Sequence, residues 1–193
     1  LAVGPGMGTN PSTRLFLEKV VENSRGVIDA DALNIISQNI DSWKGHLTGW
    51  VITPHSGEMA RILGVSTPEV NENRIAASLE ASSLLGCVTV LKGAGTVVAS
   101  PRGEIFLNPT GTSVLASAGS GDVLTGIIAG FMAQGMNSLD SAISGVFLHG
   151  LAGELLEREG KKQILSQEIA GKLNEARRMV ENGEYTLSFL DGD

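Results

Sequence analysis

Residues 108–134 read NPTGTSVLASAGSGDVLTGIIAGFMAQ, and the rest of the chain is best understood from this stretch. Its first half is rich in Gly, Ser, Thr and Ala, whereas its second half has apolar residues at intervals of three and four. The pattern predicts a loop of small residues that runs into a buried helix. Because the free N–H groups and peptide dipoles of a first helical turn attract anions, we expect an anion pocket at Gly119, Ser120 and Gly121.

Asp122 follows this pocket directly. A carboxylate beside a bound phosphate is repelled by it, so the residue needs either a chemical role or a capping role. As a general base it would take the proton of a hydroxyl that attacks phosphorus, while the adjacent N–H groups stabilise the transferred phosphoryl group. As a helix cap it would instead satisfy first-turn N–H groups. The local sequence leaves both interpretations open.

The chain has 193 residues, 25 glycines, 4% aromatic residues and a net charge of −7. These values indicate one α/β domain over residues 1–193 that is rich in tight turns. The negative charge argues against a nucleic-acid surface, and no apolar run approaches the roughly 20 residues that cross a membrane. The single cysteine, Cys87, lies in an apolar strand pattern and fits the core of a cytoplasmic protein.

Short apolar segments alternate with helical patterns along the chain, and polar or glycine residues follow the predicted strands. This alternation predicts a three-layer αβα sandwich around a mostly parallel sheet. Because parallel strands end at one edge of the sheet, we expect the residues that follow them to converge there. The candidate ligand contacts at these strand ends are Gly6, Gly8, Asp29, Asn34, His55, Lys92 and Asn108.

Each of these candidates also has a purely structural interpretation. Glycines at 4–8 serve a tight turn without a ligand, and Lys92 either brings charge to a phosphate or closes a turn. Asp31 and Glu58 are expected to cap the helices that follow them. His55 is weighed equally as a ligand contact and as a packed residue. His46 and His149 are assigned no chemistry.

Other local patterns predict the remaining elements. The Ser-x-x-Glu spacing at 66–69 predicts a capping box that opens one long helix to about Leu85. Residues 96–107 predict a β-hairpin over the turn 101–103. Residues 139–157 and 166–180 show helical spacing with charges on one face, which predicts two helices that cover the sheet.

Five motifs, in this order and spacing, resemble the ADP/ATP-dependent NAD(P)H-hydrate dehydratases, a family with a ribokinase-like fold. They are GPGMG at 4–8, DADALN at 29–34, TPHSGE at 53–58, KGAGT at 92–96 and GSGDVLTG at 119–126. The resemblance implies repair of hydrated NADH or NADPH. It further implies that a nucleotide phosphorylates the ring hydroxyl, which then leaves as phosphate and restores the double bond.

The same resemblance assigns roles to individual residues. It implies that Asp122 is the base and also contacts the hydrated dinucleotide, together with Gly6 and His55. The remaining strand-end candidates Gly8, Asp29, Asn34 and Asn108 are expected on the dinucleotide side. The resemblance also implies that the protein binds ADP or ATP, with Mg²⁺ shielding the phosphates. It further implies a homo-oligomer. The expected nucleotide contacts are Lys92, Gly93, Ala94, Gly95, Thr96, Gly119, Ser120 and Gly121.

Three departures from the family pattern accompany the resemblance. Ser56 stands where the family usually has Pro. Residues 112–115 (TSVL) replace a stretch that usually contains Asn, Pro and Gly, which predicts a stiffer and bulkier loop before the anion pocket. The opening strands and helices of the family domain are missing, so a fragment or a shortened relative is expected. A vitamin-precursor kinase of the same superfamily and a non-catalytic nucleotide-binding protein are the alternatives; the PHSGE motif at 54–58 favours the dehydratase.

Overall fold

The computed structural model describes residues 1–185. Its six strands form one sheet in the order of the chain, in which β1 to β4 are parallel and β5 and β6 continue it as an antiparallel hairpin. The strands are β1 (Ala2–Val3), β2 (Val27–Ile28), β3 (Val51–Ile52), β4 (Val88–Leu91), β5 (Val97–Ala99) and β6 (Ile105–Leu107). The mostly parallel sheet and the hairpin were both predicted correctly.

Residues 1–185 also form eight α-helices around this sheet. They are α1 (Pro11–Asn23), α2 (Asp31–Gln38), α3 (Ser56–Leu63), α4 (Thr67–Glu72), α5 (Arg74–Leu85), α6 (Ser120–Ala133), α7 (Ser138–Arg158) and α8 (Ser166–Glu181). Within the described part of the chain, no helix combines the length and the apolar character that a membrane span requires.

The layers follow from the alternation of side chains along each strand. Val27 and Val51 share an apolar cluster with residues of α6 and α7, whereas Ile28 and Ile52 share another with residues of α1 and α2. Cys87 is buried in the second cluster, and burial raises the pKa of its thiol to about 12, so it belongs to the core as expected. Helices therefore cover both faces, which confirms the αβα sandwich.

The expected long helix after residue 66 is wrong, because the chain breaks into α4 and α5 at Asn73. The capping box itself is present, since Ser66 and Glu69 bond reciprocally at the start of α4. Asn73 then has φ −138° and ψ 69°, and its side chain accepts a hydrogen bond from the N–H of Ala76 at 3.1 Å. A side chain that caps the next helix competes with continuation of the first one.

Three glycines of α7 allow close approach by its neighbours. A Cβ at Gly145 would lie 2.5 Å from Ile128 of α6, a Cβ at Gly150 would lie 2.1 Å from the Thr110 hydroxyl, and a Cβ at Gly153 would lie 2.6 Å from Leu115. The loop before α6 therefore packs directly onto α7. The bulk expected at 112–115 is accommodated here, in a short 3₁₀ turn over Ser113–Leu115.

We predict that Gly150→Ala lowers the free energy of unfolding by about 1–3 kcal/mol, as for an overpacked core. The new methyl group would meet both the hydroxyl and the backbone of Thr110. At Gly171 of α8 a Cβ meets nothing within 4 Å. Because alanine favours a helix over glycine by about 1 kcal/mol, Gly171→Ala should instead raise the free energy of unfolding. Urea unfolding of both variants checks this pair, and a gain in stability at both positions would show that the loop yields to the methyl group.

Candidate active site

A cavity of about 600 Å³ opens beside the end of β4. The loop that follows β4 forms one wall, the loop at 108–117 forms another, and the first turns of α6 and the middle of α7 close it. Of the residues expected to bind nucleotide, those that line it are Lys92, Gly93, Ala94, Gly95, Thr96, Ser120 and Gly121, and Asn108 lines it as well. The other predicted site residues do not line this cavity; they are Gly6, Gly8, Asp29, Asn34, His55, Gly119 and Asp122.

The helix α6 begins with its first turn uncapped by any side chain of residues 1–185. Gly119 precedes it with φ 80°, a left-handed conformation that favours glycine. Asp122 lies in that turn, is exposed, and has no side-chain hydrogen bond or ion pair with a described residue. The uncapped turn leaves its N–H groups free for an anion, and Asp122 lacks the capping bond that the alternative role requires. The anion pocket stays a prediction.

Lys92 supplies a cation to this pocket. Its ammonium group donates to Asp29 at 2.8 Å and lies 3.3 Å from the position that a Cβ of Gly121 would take. Asp29 is 1% exposed and also accepts from the hydroxyl of Thr125 at 2.9 Å. A buried carboxylate requires such partners, so Asp29 orients the lysine from behind. Contact of Asp29 with a dinucleotide stays a prediction.

Arg74 holds the start of the loop after β4, a role that no sequence pattern indicates. Its guanidinium donates to the carbonyl oxygens of Leu91 and Lys92 at 2.9 and 3.2 Å. A Cβ at Gly93 would lie 3.2 Å from the same guanidinium. The Thr96 hydroxyl donates to the Gly93 carbonyl at 3.0 Å and closes the loop. Both ends of this loop are thus held by hydrogen bonds.

His55 caps α3, and Glu58 caps it as expected. The Nδ1 atom of His55 accepts from the N–H groups of Gly57 and Glu58 at 3.0 and 3.3 Å, and the Glu58 carboxylate accepts from the His55 N–H at 2.8 Å. Since Nδ1 is an acceptor, a neutral ring carries its proton on Nε2. The side chain is 56% exposed, so the ring remains accessible to a ligand. Its contact with the dinucleotide stays a prediction.

The expected capping role of Asp31 is wrong. Ala30, with φ 49°, precedes α2, and the Asp31 carboxylate instead accepts from the N–H of Gly8 at 2.9 Å. The carboxylate is drawn to this loop because the glycine turn presents an otherwise unpaired N–H group. A Cβ at Gly4 would lie 1.7 Å from the Asp29 carbonyl, so the turn packs against the end of β2.

Two further candidates hold loops in place. Asn34 accepts from the Nε of Arg61 at 3.1 Å. Asn108 donates to the carbonyl oxygens of Thr110 and Val146 at 3.0 and 3.2 Å, which fixes the loop before α6 to α7. Both side chains are only partly buried, and their ligand contacts stay predictions.

His149, which was assigned no chemistry, lines the cavity from α7. Its Nε2 atom lies 3.1 Å from both the hydroxyl and the carbonyl oxygen of Ser120. The ring is buried, and burial lowers its pKa to about 4. One signal was present in the sequence: His149 shares a helical face with Gly145 and Gly153, four residues to either side, and such small residues mark a face in close contact.

The depressed pKa of His149 predicts acid sensitivity. Between pH 6.5 and about 4 the unfolded chain binds a proton at this residue that the folded chain does not, so the free energy of unfolding falls as pH falls through this window. The loss from this group is at most about 3 kcal/mol. Urea unfolding at about pH 7 and about pH 4.5 should show a smaller loss for His149→Gln than for the unsubstituted protein. Equal losses would assign the acid sensitivity to other groups.

Comparison with known proteins gives this arrangement a context. The family model described as NAD(P)H-hydrate dehydratase matches residues 1–175. The bifunctional NAD(P)H-hydrate repair enzyme Nnr of Moorella thermoacetica is 37% identical over 190 residues, which cover 97% of this chain and 36% of that enzyme. The chain thus spans about a third of the length of the bifunctional relatives that it matches.

Solved structures agree with this similarity. The ADP/ATP-dependent NAD(P)H-hydrate dehydratase from Bacillus subtilis, co-crystallised with ATP/Mg²⁺, matches with a TM-score of 0.80 and 30% identity over 92% of this chain and 63% of that one. A ribokinase-like superfamily protein from Enterococcus faecalis matches with a TM-score of 0.76 and 29% identity, over 91% of this chain and 62% of that one. The predicted ribokinase-like fold is confirmed, and the chain belongs to the NAD(P)H-hydrate dehydratase family.

Proposed function

We propose that this chain carries the nucleotide-dependent dehydration of hydrated NADH and NADPH, with ADP or ATP as the phosphoryl donor. The observation that carries the proposal is the exposed carboxylate of Asp122 in the uncapped first turn of α6. The same turn lines the cavity and faces the ammonium group of Lys92. The cavity volume of about 600 Å³ falls within the usual range for small-molecule sites. Family membership supports this chemistry.

Binding follows from the fixed groups around the cavity. The first-turn N–H groups after Gly119 and the ammonium of Lys92 would hold the transferred phosphate, and the loop from Lys92 to Thr96 would hold the rest of the nucleotide. Because the net charge is −7, attraction of an anionic nucleotide must come from these local donors. Gly6, Gly8 and His55 would contact the hydrated dinucleotide.

In the first chemical step, Asp122 takes the proton of the ring hydroxyl as that oxygen attacks the terminal phosphorus of the nucleotide. The bond from this phosphorus to its bridging oxygen breaks, and ATP leaves as ADP or ADP as AMP. The charge on the transferred phosphoryl oxygens develops beside the amide N–H groups and Lys92, which are in place before the reaction.

In the second step the ring carbon–oxygen bond breaks, and its electron pair leaves on inorganic phosphate. A neighbouring ring carbon gives its proton to water, and the electron pair of that bond restores the double bond of the dihydronicotinamide ring. Phosphorylation converts a poor leaving group into a good one. The net change is loss of water from the ring, driven by hydrolysis of one phosphoanhydride bond.

The residues present fit Mg²⁺ carried by the nucleotide. Within residues 1–185 no group of three or more His, Cys, Asp or Glu side chains is arranged to hold a metal ion. Mg²⁺ commonly binds phosphate oxygens, water and one or two carboxylates, and Asp122 is the exposed carboxylate at this turn. When bound, the ion would neutralise charge on the phosphates.

The direct test is to incubate the protein with Mg²⁺, hydrated NADH and either ADP or ATP, and to follow the absorbance of regenerated NADH. Nucleotide-dependent recovery of NADH with release of phosphate supports the proposal. Phosphorylation of a vitamin-precursor alcohol without recovery of NADH would support a kinase. Binding of nucleotide without turnover of either substrate would support a non-catalytic nucleotide-binding protein.

The proposal also includes the setting of the protein. We expect a cytoplasmic homo-oligomer that binds neither nucleic acid nor membranes. The net charge of −7 argues against nucleic-acid binding, and the single buried cysteine fits a reducing cytoplasm. Light scattering after size-exclusion chromatography measures the number of subunits, and a monomer at all concentrations would contradict the homo-oligomer.

A further inference from the structure

The contact between His149 and Ser120 is unused by the function proposed above. Both side chains are buried, at 8% and 5% exposure, and both line the cavity at the start of α6. A hydrogen bond between a serine hydroxyl and an imidazole nitrogen can run in either direction, and the two directions have opposite consequences for the serine. If Nε2 lacks a proton it accepts the serine proton and activates the hydroxyl as a nucleophile; if Nε2 carries a proton it donates to the hydroxyl oxygen.

The backbone decides between these tautomers. Nε2 of His149 lies 3.1 Å from the carbonyl oxygen of Ser120 as well as from its hydroxyl. A carbonyl oxygen only accepts, so this contact is a hydrogen bond only when Nε2 bears a hydrogen. Burial of the ring disfavours its protonated form, so the neutral ring with hydrogen on Nε2 is the form that fits.

This tautomer fixes the direction of the serine hydroxyl. Since Ser120 Oγ accepts from Nε2, its own hydrogen is not used by His149, and the hydroxyl has no other hydrogen bond within the described residues. Ser120 lies in the first turn of α6, directly before Gly121, which faces the ammonium of Lys92. The unused hydrogen is therefore available to an acceptor in the cavity.

We infer that His149 is a positioning residue that makes Ser120 an obligate hydrogen-bond donor to a nucleotide phosphate oxygen. The inference rests on the proposed function, because it needs a phosphate in the pocket. It assigns Ser120 no nucleophilic role, since the ring has no lone pair on the nitrogen that faces the hydroxyl. The hydroxyl adds one oriented donor to the backbone N–H groups and Lys92.

Four variants test this inference by calorimetric titration with ADP in the presence of Mg²⁺. Ser120→Ala and His149→Leu should each weaken affinity by about tenfold to a hundredfold, the value of a hydrogen bond to a charged acceptor. His149→Gln keeps an N–H donor at the position of Nε2 and should recover most of the affinity. The double variant of Ser120→Ala with His149→Leu should bind no more weakly than either single variant, because both remove one interaction. His46→Leu, at an exposed histidine, is the matched control and should bind like the unsubstituted protein.

Nitrogen-15 NMR of the histidine rings reports the tautomer without any ligand. Hydrogen on Nε2 of His149 supports the inference, and hydrogen on Nδ1 overturns it. Labelling of Ser120 by a fluorophosphonate probe would also overturn it. If the unsubstituted protein binds ADP and His149→Leu binds equally well, the inference alone fails. If the unsubstituted protein binds neither ADP nor ATP, the proposed function fails and the inferred phosphate contact falls with it.

Discussion

Replacement of Asp122 by Asn is expected to lower turnover by about 10²–10⁴-fold, which is the contribution of a general base. The affinity for ADP without Mg²⁺ should stay nearly unchanged, because the phosphate is held by backbone N–H groups and Lys92 rather than by this side chain. Asn has nearly the same shape as Asp and cannot accept the proton. The measurements are the rate of NADH recovery from hydrated NADH and calorimetric titration with ADP.

Asp140→Asn is the matched control, since Asp140 also lies in the first turn of a long helix but outside the cavity. Each substitution removes one negative charge from a helix start, at a cost of about 0.3–1 kcal/mol. Turnover of Asp140→Asn should equal that of the unsubstituted protein. If Asp122→Asn retains turnover within about tenfold, or loses far more stability than the control, Asp122 is a structural residue rather than the base.

The layered fold could be predicted from sequence because its signals are local. Each strand is a short apolar run, and alternation of Val27 with Ile28 already separates the two faces of the sheet. The break at Asn73 was missed because the local sequence is compatible both with a continuing helix and with an N-cap that starts a new helix. What favours the break is distant: Arg74, the next residue, bonds the carbonyl oxygens at the end of β4.

The candidate site was predictable where its residues follow strands and not where it depends on pairing. The loop after β4 and the first turn of α6 were both expected, and both line the cavity. The bond between Lys92 and Asp29 joins residues 63 positions apart, and that between Ser120 and His149 joins residues 29 apart. The periodicity of apolar residues does not reveal which residues pair over such separations. Asp31 was given the wrong role for the same reason, since its partner Gly8 lies on another loop.

Replacement of Lys92 by Met is expected to cost about 3–5 kcal/mol of unfolding free energy, because it leaves the Asp29 carboxylate buried without its cation. Affinity for ADP should also fall, by about tenfold to a hundredfold, since a charged donor to phosphate is lost. The matched control is Lys44→Met, which removes an exposed lysine paired with the exposed Asp41. That change should cost less than about 1 kcal/mol and leave ADP binding unchanged.

The double variant Asp29→Asn with Lys92→Met separates the two losses. Removing both charges eliminates the uncompensated carboxylate, so most of the lost stability should return, while ADP affinity should remain low because no ammonium faces Gly121. Asp29→Asn alone keeps the lysine, whose side chain is 21% exposed, and should retain binding. A double variant as unstable as the sum of the single variants would show that the two charges are not coupled. A Lys92→Met variant with normal ADP affinity would place the phosphate away from this lysine, and the pocket at the start of α6 would then need another cation.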